Sequence, residues 1–137
     1  MKRWLACLVP GALFVLLLAA AYIALELSDE PEPTASKPIT IPSLSPPAQR
    51  GQEVFNRRCG TCHGVFADGS PGGPPLVHPV YRPAHHADVV FSLAVRRGVR
   101  AHHWTYGDML PMPDVSEQEL KDIVQFVREL QRANGIE

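Results

Sequence analysis

The chain has 137 residues, with 13 Lys and Arg against 14 Asp and Glu and a formal net charge of −1. That balance excludes the strongly basic surface a nucleic-acid binder needs, and the length suits one domain plus an accessory segment. Its 14 prolines are the main departure from ordinary composition, and many of them fall in two clusters.

Lys2 and Arg3 precede an uncharged apolar run from Trp4 to Leu25. As a helix that run is about 33 Å long at about 1.5 Å per residue, enough for a bilayer core of roughly 30 Å. A cleaved signal peptide has an apolar core of about 7–15 residues. Ala19-Ala20-Ala21 offers a cleavage-like site, but Tyr22, Ile23 and Leu25 carry the run past it. Residues 1–27 are therefore predicted to be a retained transmembrane anchor, with a cleaved signal as the alternative. The basic residues before the span and Glu26, Asp29, Glu30 and Glu32 after it orient the N-terminus to the cytoplasm. Everything downstream then lies outside, on the periplasmic face of a bacterial inner membrane. Cys7 precedes the apolar core, whereas a lipid-modified cysteine would follow it, so it reads as a small membrane-helix residue.

Residues 28–46 carry Pro31, Pro33, Pro38, Pro42 and Pro46 and no apolar periodicity. They are predicted to be an extended, semi-rigid linker. The remaining 47–137 form a small all-α domain with a thin core, which calls for a cofactor, metal or disulfide to stabilise it.

Three helices can be read in that domain. The first, Ala48 to Arg58, is preceded by Pro46-Pro47 and has Gly51, Val54 and Phe55 on one face. The second, Ala87 to Arg97, has a stripe of Val90, Leu93, Ala94 and Arg97, with Gly98 at the stop position. The third begins at Ser116, which makes a capping box with Glu119, flanked by Val115 and Leu120 as a hydrophobic staple. Leu120, Ile123, Val124, Val127 and Leu130 then recur at helical spacing, with Phe126 widening the face, and Asn134-Gly135 ends it. Loops rich in glycine and proline join the helices, and no alternating strand pattern is present.

The first helix runs into "RCGTCHG", residues 58–64, with Cys59 and Cys62 spaced C-x-x-C and His63 next. Three chemistries compete for it. A redox dithiol wants a βαβ setting with the cysteines at a helix N-terminus, and here they follow a helix. Structural zinc wants four ligands, and the domain has no further cysteine. Its other histidines are His78 and the doublets His85-His86 and His102-His103. Adjacent histidines diverge on a helix or strand, so a doublet is not expected to give two ligands. The third chemistry is covalent haem attachment, for which C-x-x-C-H is the signature. Two thiols add to the two vinyl groups on one porphyrin edge, and the following histidine is carried beneath the iron as a ligand.

The order of features resembles the small monohaem cytochromes c: a helix with Gly51 and Phe55 ending at "CGTCH", a Gly/Pro-rich loop, a middle helix, a methionine-proline loop, and the amphipathic "VSEQELKDIVQFVRELQ". The resemblance spans roughly Ala48 to Gln131. It implies a cytochrome c fold, with N- and C-terminal helices crossing around one covalently bound haem c. It implies that Gly51 and Phe55 meet Phe126 and Val127 at that crossing, and that His63 is the proximal ligand. Met109, seven residues before Ser116, is the implied sixth ligand. Met112, four before it, is the alternative, because Met112-Pro113 keeps the family's Met-Pro dipeptide. The resemblance also implies that the Pro75 carbonyl accepts the bond from His63's other ring nitrogen and that Leu76 packs on the ring. Trp104 and Tyr106 are candidates to line the haem.

With His and Met on the iron no position remains for substrate, so the expected role is single-electron transfer rather than catalysis. The expected partners are redox proteins of a respiratory or dehydrogenase chain; Arg57, Arg58, Arg96, Arg97 and Arg100 read either as a basic docking rim or as an ordinary solvated polar face. The rival readings are a haem-based sensor with a labile methionine and a cytochrome subunit of a larger oxidase or dehydrogenase. The surplus histidines read as surface or propionate-contacting residues, with a second metal site or bis-histidine ligation as the alternative.

Overall fold

The computed structural model describes residues 17–22 and 38–137. The chain divides into two compact units, Met1–Ala35 and Ser36–Glu137. In the first, residues 17–22 are helical and exposed. The rest of the predicted anchor lies outside the described residues. Among the described residues no helix is long and apolar enough to cross a membrane.

The second unit contains four helices among the described residues: α1 Pro46–Arg58, α2 Gly60–His63, α3 Asp88–Arg97 and α4 Glu117–Ala133, with a 3₁₀ turn at Pro79–Tyr81. Among the described residues there is no extended strand, only the isolated bridges Ser70–Gly73 and Val99–Met109.

Helix α1 starts earlier than its periodicity indicated. Ser45 caps it, and Pro46-Pro47 occupy the first positions, where a missing N–H costs nothing. The cap is also clamped to α4. The Ser45 hydroxyl donates to Glu129 Oε1 at 2.6 Å, and its backbone N–H donates to Glu129 Oε2 at 2.9 Å. Thr40 exchanges two 2.9 Å bonds with the Asn134 amide. The predicted linker over 28–46 therefore ends earlier, because 38–45 is fastened along α4 by hydrogen bonds that proline content alone does not reveal.

Helices α1 and α4 cross at Gly51. A Cβ there would lie 1.9 Å from the Asp122 carbonyl oxygen, so only glycine permits this approach. The residues opposite Gly51 are thus Asp122 and Ile123, one turn before the expected Phe126 and Val127. Phe55, one turn along α1, does meet Phe126, with ring centroids 5.3 Å apart. Arg50 straddles the crossing and pairs with Asp122 through bonds of 2.9 and 3.2 Å.

The α4 N-terminus has the complete capping box, Ser116 with Glu119. Leu120, Ile123, Phe126, Val127 and Leu130 join Ala48, Val54, Phe55, Val95 and Val115 in one buried core. Helix α3 differs from its predicted face. Val95 is its buried residue, Leu93 is 42 % exposed and Arg97 is exposed. The backbone N–H of Met112 donates to the Val95 carbonyl at 2.7 Å, which ties the methionine loop to α3.

Candidate functional site

The C-x-x-C-H run forms α2, a single turn that continues α1. The backbone N–H groups of Cys62 and His63 both donate to the Cys59 carbonyl, at 3.1 and 2.9 Å. This helical spacing sets Cys59, Cys62 and His63 on one side of the turn. Cys59 is buried and Cys62 exposed. Burial pushes the Cys59 thiol up to about 11, with Arg58 pulling partly the other way. A redox dithiol needs the opposite, a depressed thiol at a helix N-terminus. Cys59 both closes α1 and caps the one-turn α2, and its raised thiol argues against the redox reading.

Beside this turn lies a cleft that is partly open to solvent. Cys59, His63, Pro74 and Leu76 line it from the attachment loop, and Val90, Phe91, Ala94 and Val95 from α3. Phe55, Leu120 and Ile123 line it from the core, and Trp104, Tyr106 and Met109 from the following loop. Met109 and Met112 are both partly buried and packed against the core, but of the two only Met109 is among the residues lining the cleft.

His63 is oriented by one bond. Its Nδ1 is 2.8 Å from the carbonyl oxygen of Pro74. That assigns the proton to Nδ1 and leaves Nε2 with its lone pair. Burial lowers the His63 pKa, and the Pro74 bond offsets part of that, so the ring is held neutral, as a metal ligand must be. The resemblance had assigned this carbonyl to Pro75. The structure gives it to Pro74, because Pro75 packs its ring and nitrogen against Gly69 and the peptide before it faces the imidazole.

Met109 is fixed through its backbone. It exchanges two 2.9 Å hydrogen bonds with Val99. Gly98, at φ +72, lies under it: a Cβ at that position would be 2.4 Å from the Met109 carbonyl oxygen. Trp104 Nε1 donates to the Tyr81 hydroxyl at 3.1 Å, joining two loops at the cleft. Of the five arginines read as a docking rim or a solvated face, Arg58 pairs with Asp114 and Arg96 with Glu117. Arg57, Arg97 and Arg100 remain as exposed cations.

Two residues that organise the site had not stood out in the sequence. Arg128 side-chain atoms are 6 % exposed. Its guanidinium donates to Asp88 Oδ1 at 2.7 Å, the Tyr81 carbonyl at 2.8 Å, Gln131 Oε1 at 2.6 Å and the His86 carbonyl, and it lies 4.8 Å from the Phe91 ring centroid. Gln131 is fully buried and donates to the Leu76 and Tyr81 carbonyls at 2.8 and 3.1 Å. Together they tie the 76–88 loop, one side of the cleft, to α4. Their signal was their position: 120, 124, 127, 128 and 131 form one helical stripe.

The histidine doublets also differ from expectation. His85 and His86 occupy a turn rather than a helix or strand, with both backbone N–H groups donating to the Arg82 carbonyl. Their rings therefore do not diverge: the centroids are 4.5 Å apart.

These residues fit a covalently held haem. The cleft has a thiol and a carbonyl-anchored imidazole on one loop, a thioether on another, and largely apolar walls between them. The Cytochrome c family model matches residues 48–131, the stretch from the first core residue of α1 to Gln131. No curated protein and no solved structure matches the chain. The matched stretch, most of the helical unit, shows that the chain belongs to the cytochrome c family and is an electron-transfer protein with covalently attached haem c.

Proposed function

We propose that this chain is a membrane-tethered single-electron carrier whose haem is fixed by thioethers to Cys59 and Cys62 and ligated by His63 Nε2 and Met109 Sδ. The observation that carries the ligand pair is that His63 and Met109 line the same cleft, with His63 oriented by Pro74. When bound, the haem supplies a one-electron iron couple whose potential methionine ligation raises.

The chain's residues divide the remaining work. The Pro74 carbonyl holds the His63 ring in one orientation and one tautomer, so ligation needs no rearrangement. The Val99 bridge holds the Met109 backbone. Phe55, Leu120, Ile123 and Val95 exclude water from the inner end of the cleft, which favours a small reorganisation on changing charge. Cys62 is exposed, so the tethered edge is the part a partner can approach. Arg57, Arg97 and Arg100 are the exposed cations for steering an acidic redox partner.

The apolar run Trp4–Leu25 supports an anchor in the bacterial inner membrane, with the haem unit on the periplasmic side, where this attachment chemistry takes place. Tethering replaces free diffusion with a high local concentration near membrane-bound donors and acceptors. Residues before Pro38 set the reach, since 38–45 belongs to the folded unit.

The ligand assignment is tested by comparing Met109→Leu and Met112→Leu in the oxidised haem-loaded protein. Met109→Leu should abolish the weak long-wavelength band of methionine-to-iron ligation and lower the potential. Met112→Leu should keep the band. The reverse pattern would transfer the ligand role to Met112.

A further inference from the structure

Three histidines outside the proposed iron ligand set converge at the mouth of the cleft. One ligand nitrogen from each of His85, His86 and His103 lies within 4.8 Å of the others. The turn after the 3₁₀ helix supplies two of them, and the loop that leads to Met109 supplies the third. We propose that these imidazoles form a binding site for a late first-row divalent cation, Zn²⁺ being the natural occupant, and that the bound ion clips the two loops together.

The argument rests on how the rings are held. His85 Nδ1 and His86 Nδ1 lie 2.9 and 2.8 Å from the same acceptor, the Val80 carbonyl oxygen. Each Nδ1–H is spent on that carbonyl, so each Nε2 presents a lone pair. A backbone carbonyl behind the far ring nitrogen is the usual support of a metal-bound histidine. The carbonyl itself is fixed by the 3₁₀ turn, whose first position is set by Pro79. The backbone beneath His86 is fixed as well, because Arg128 donates to the His86 carbonyl. His86 is 9 % exposed and its ring stands 5.0 Å from Tyr81, so one ligand is rigid before any ion arrives.

The third ligand comes to the other two. The His103 ring centroid is 5.4 Å from His85 and 5.3 Å from His86. A tetrahedral zinc with Zn–N of about 2.0–2.1 Å spaces its ligand nitrogens about 3.3 Å apart. Closing from 4.8 Å requires a movement on the order of 1–1.5 Å, shared among ring rotations and the exposed His103 loop. Neutral imidazoles suit Zn²⁺, Cu²⁺ and Ni²⁺ and not Mg²⁺ or Ca²⁺. Three ligands leave a fourth position for solvent. His102 stands next to His103, with ring centroids 4.3 Å apart, but is not one of the three residues whose ligand nitrogens converge.

The test is Zn²⁺ titration of the haem-loaded full chain by calorimetry, with thermal melts and visible spectra in parallel. One Zn²⁺ should bind per chain and raise the melting temperature. Zinc-edge X-ray absorption should report three imidazole nitrogens at about 2.0 Å. His85→Ala and His85→Gln should each weaken binding about 100-fold or more, beyond the roughly 10- to 100-fold that loss of an outer partner costs. His85 is exposed and stands outside the cleft lining, so both variants should keep the wild-type haem spectrum. His102→Ala should bind as wild type. Absence of stoichiometric binding, undiminished binding in both His85 variants, or an altered iron spectrum in them would overturn the proposal.

Discussion

Replacing Arg128 by methionine removes a buried guanidinium while filling most of its volume. Four bonds and one ring contact are lost, and they do not count equally. Asp88 side-chain atoms are 69 % exposed, so its carboxylate returns to water, and that pair contributes at most about 1 kcal/mol. The Tyr81 carbonyl keeps a second donor in Gln131. The His86 carbonyl and Gln131 Oε1 keep none among the described bonds, and each orphaned buried acceptor costs about 1–3 kcal/mol. The stack on Phe91 adds about 0.5–2 kcal/mol, roughly offset by burial of the methionine. The net is about 3 kcal/mol, a large share of a native stability of about 5–15 kcal/mol. The assay is urea unfolding of the haem-loaded protein followed by far-ultraviolet circular dichroism. Arg128→Met should lower the midpoint at unchanged slope. A loss below about 1 kcal/mol would refute the assignment of Arg128 as the fastener of the 76–88 loop.

Gly51→Ala must push its Cβ away from the Asp122 carbonyl oxygen at 1.9 Å, whereas a Cβ at Gly60 meets nothing closer than 3.7 Å. Gly51→Ala should therefore lose about 3 kcal/mol or more and Gly60→Ala should be neutral or stabilising by up to about 1 kcal/mol, measured by the same unfolding assay. Gly98→Ala, strained at φ +72 and set against the Met109 carbonyl, should weaken the methionine band in the oxidised spectrum while the His63 side of the site is retained. Acid should destabilise the fold with a defined sign. The bond from Arg50 holds Asp122 below the ordinary carboxylate range. At Glu129 burial pushes upward, but the bonds from Ser45 and Gln125 outweigh it and the pKa is lowered. Depressed folded-state values mean that this stability is fully present above about pH 4 and is lost as pH falls through them. His63, whose folded-state pKa is lowered, takes up a proton on unfolding below about pH 6.5, so urea midpoints should decline from pH 7 to pH 5 and drop further toward pH 3, the second drop being smaller in Arg50→Ala.

The helices were legible because their signals are local. The capping box at Ser116 and the apolar stripe of α4 each follow from neighbouring residues and survived in the structure, and the proline pair expected to precede α1 forms its first positions instead. The attachment turn was legible for the same reason, since Cys59, Cys62 and His63 lie within five residues. What was not legible depends on residues far apart in the chain. The fastening of 38–45 to α4 needs Glu129 and Asn134, more than eighty residues away. The face of α3 was legible only in part: Val90 and Ala94 of the predicted stripe line the cleft, while Val95, which the stripe left out, is the residue that joins the core. The Pro74 carbonyl was missed by one residue because two adjacent prolines look alike until Gly69 packs on the second. The convergence of His85, His86 and His103 required a turn that sequence spacing treated as a helix or strand.

The central claim is that this fold holds a six-coordinate haem that exchanges single electrons. Spectroelectrochemical titration of the haem-loaded full chain, with carbon monoxide added to the reduced form at neutral pH, tests it most directly. The account predicts one reversible one-electron transition at a positive potential, the methionine band in the oxidised state, and no spectral change with carbon monoxide. A low-potential couple together with a carbon monoxide adduct in the reduced protein would contradict it.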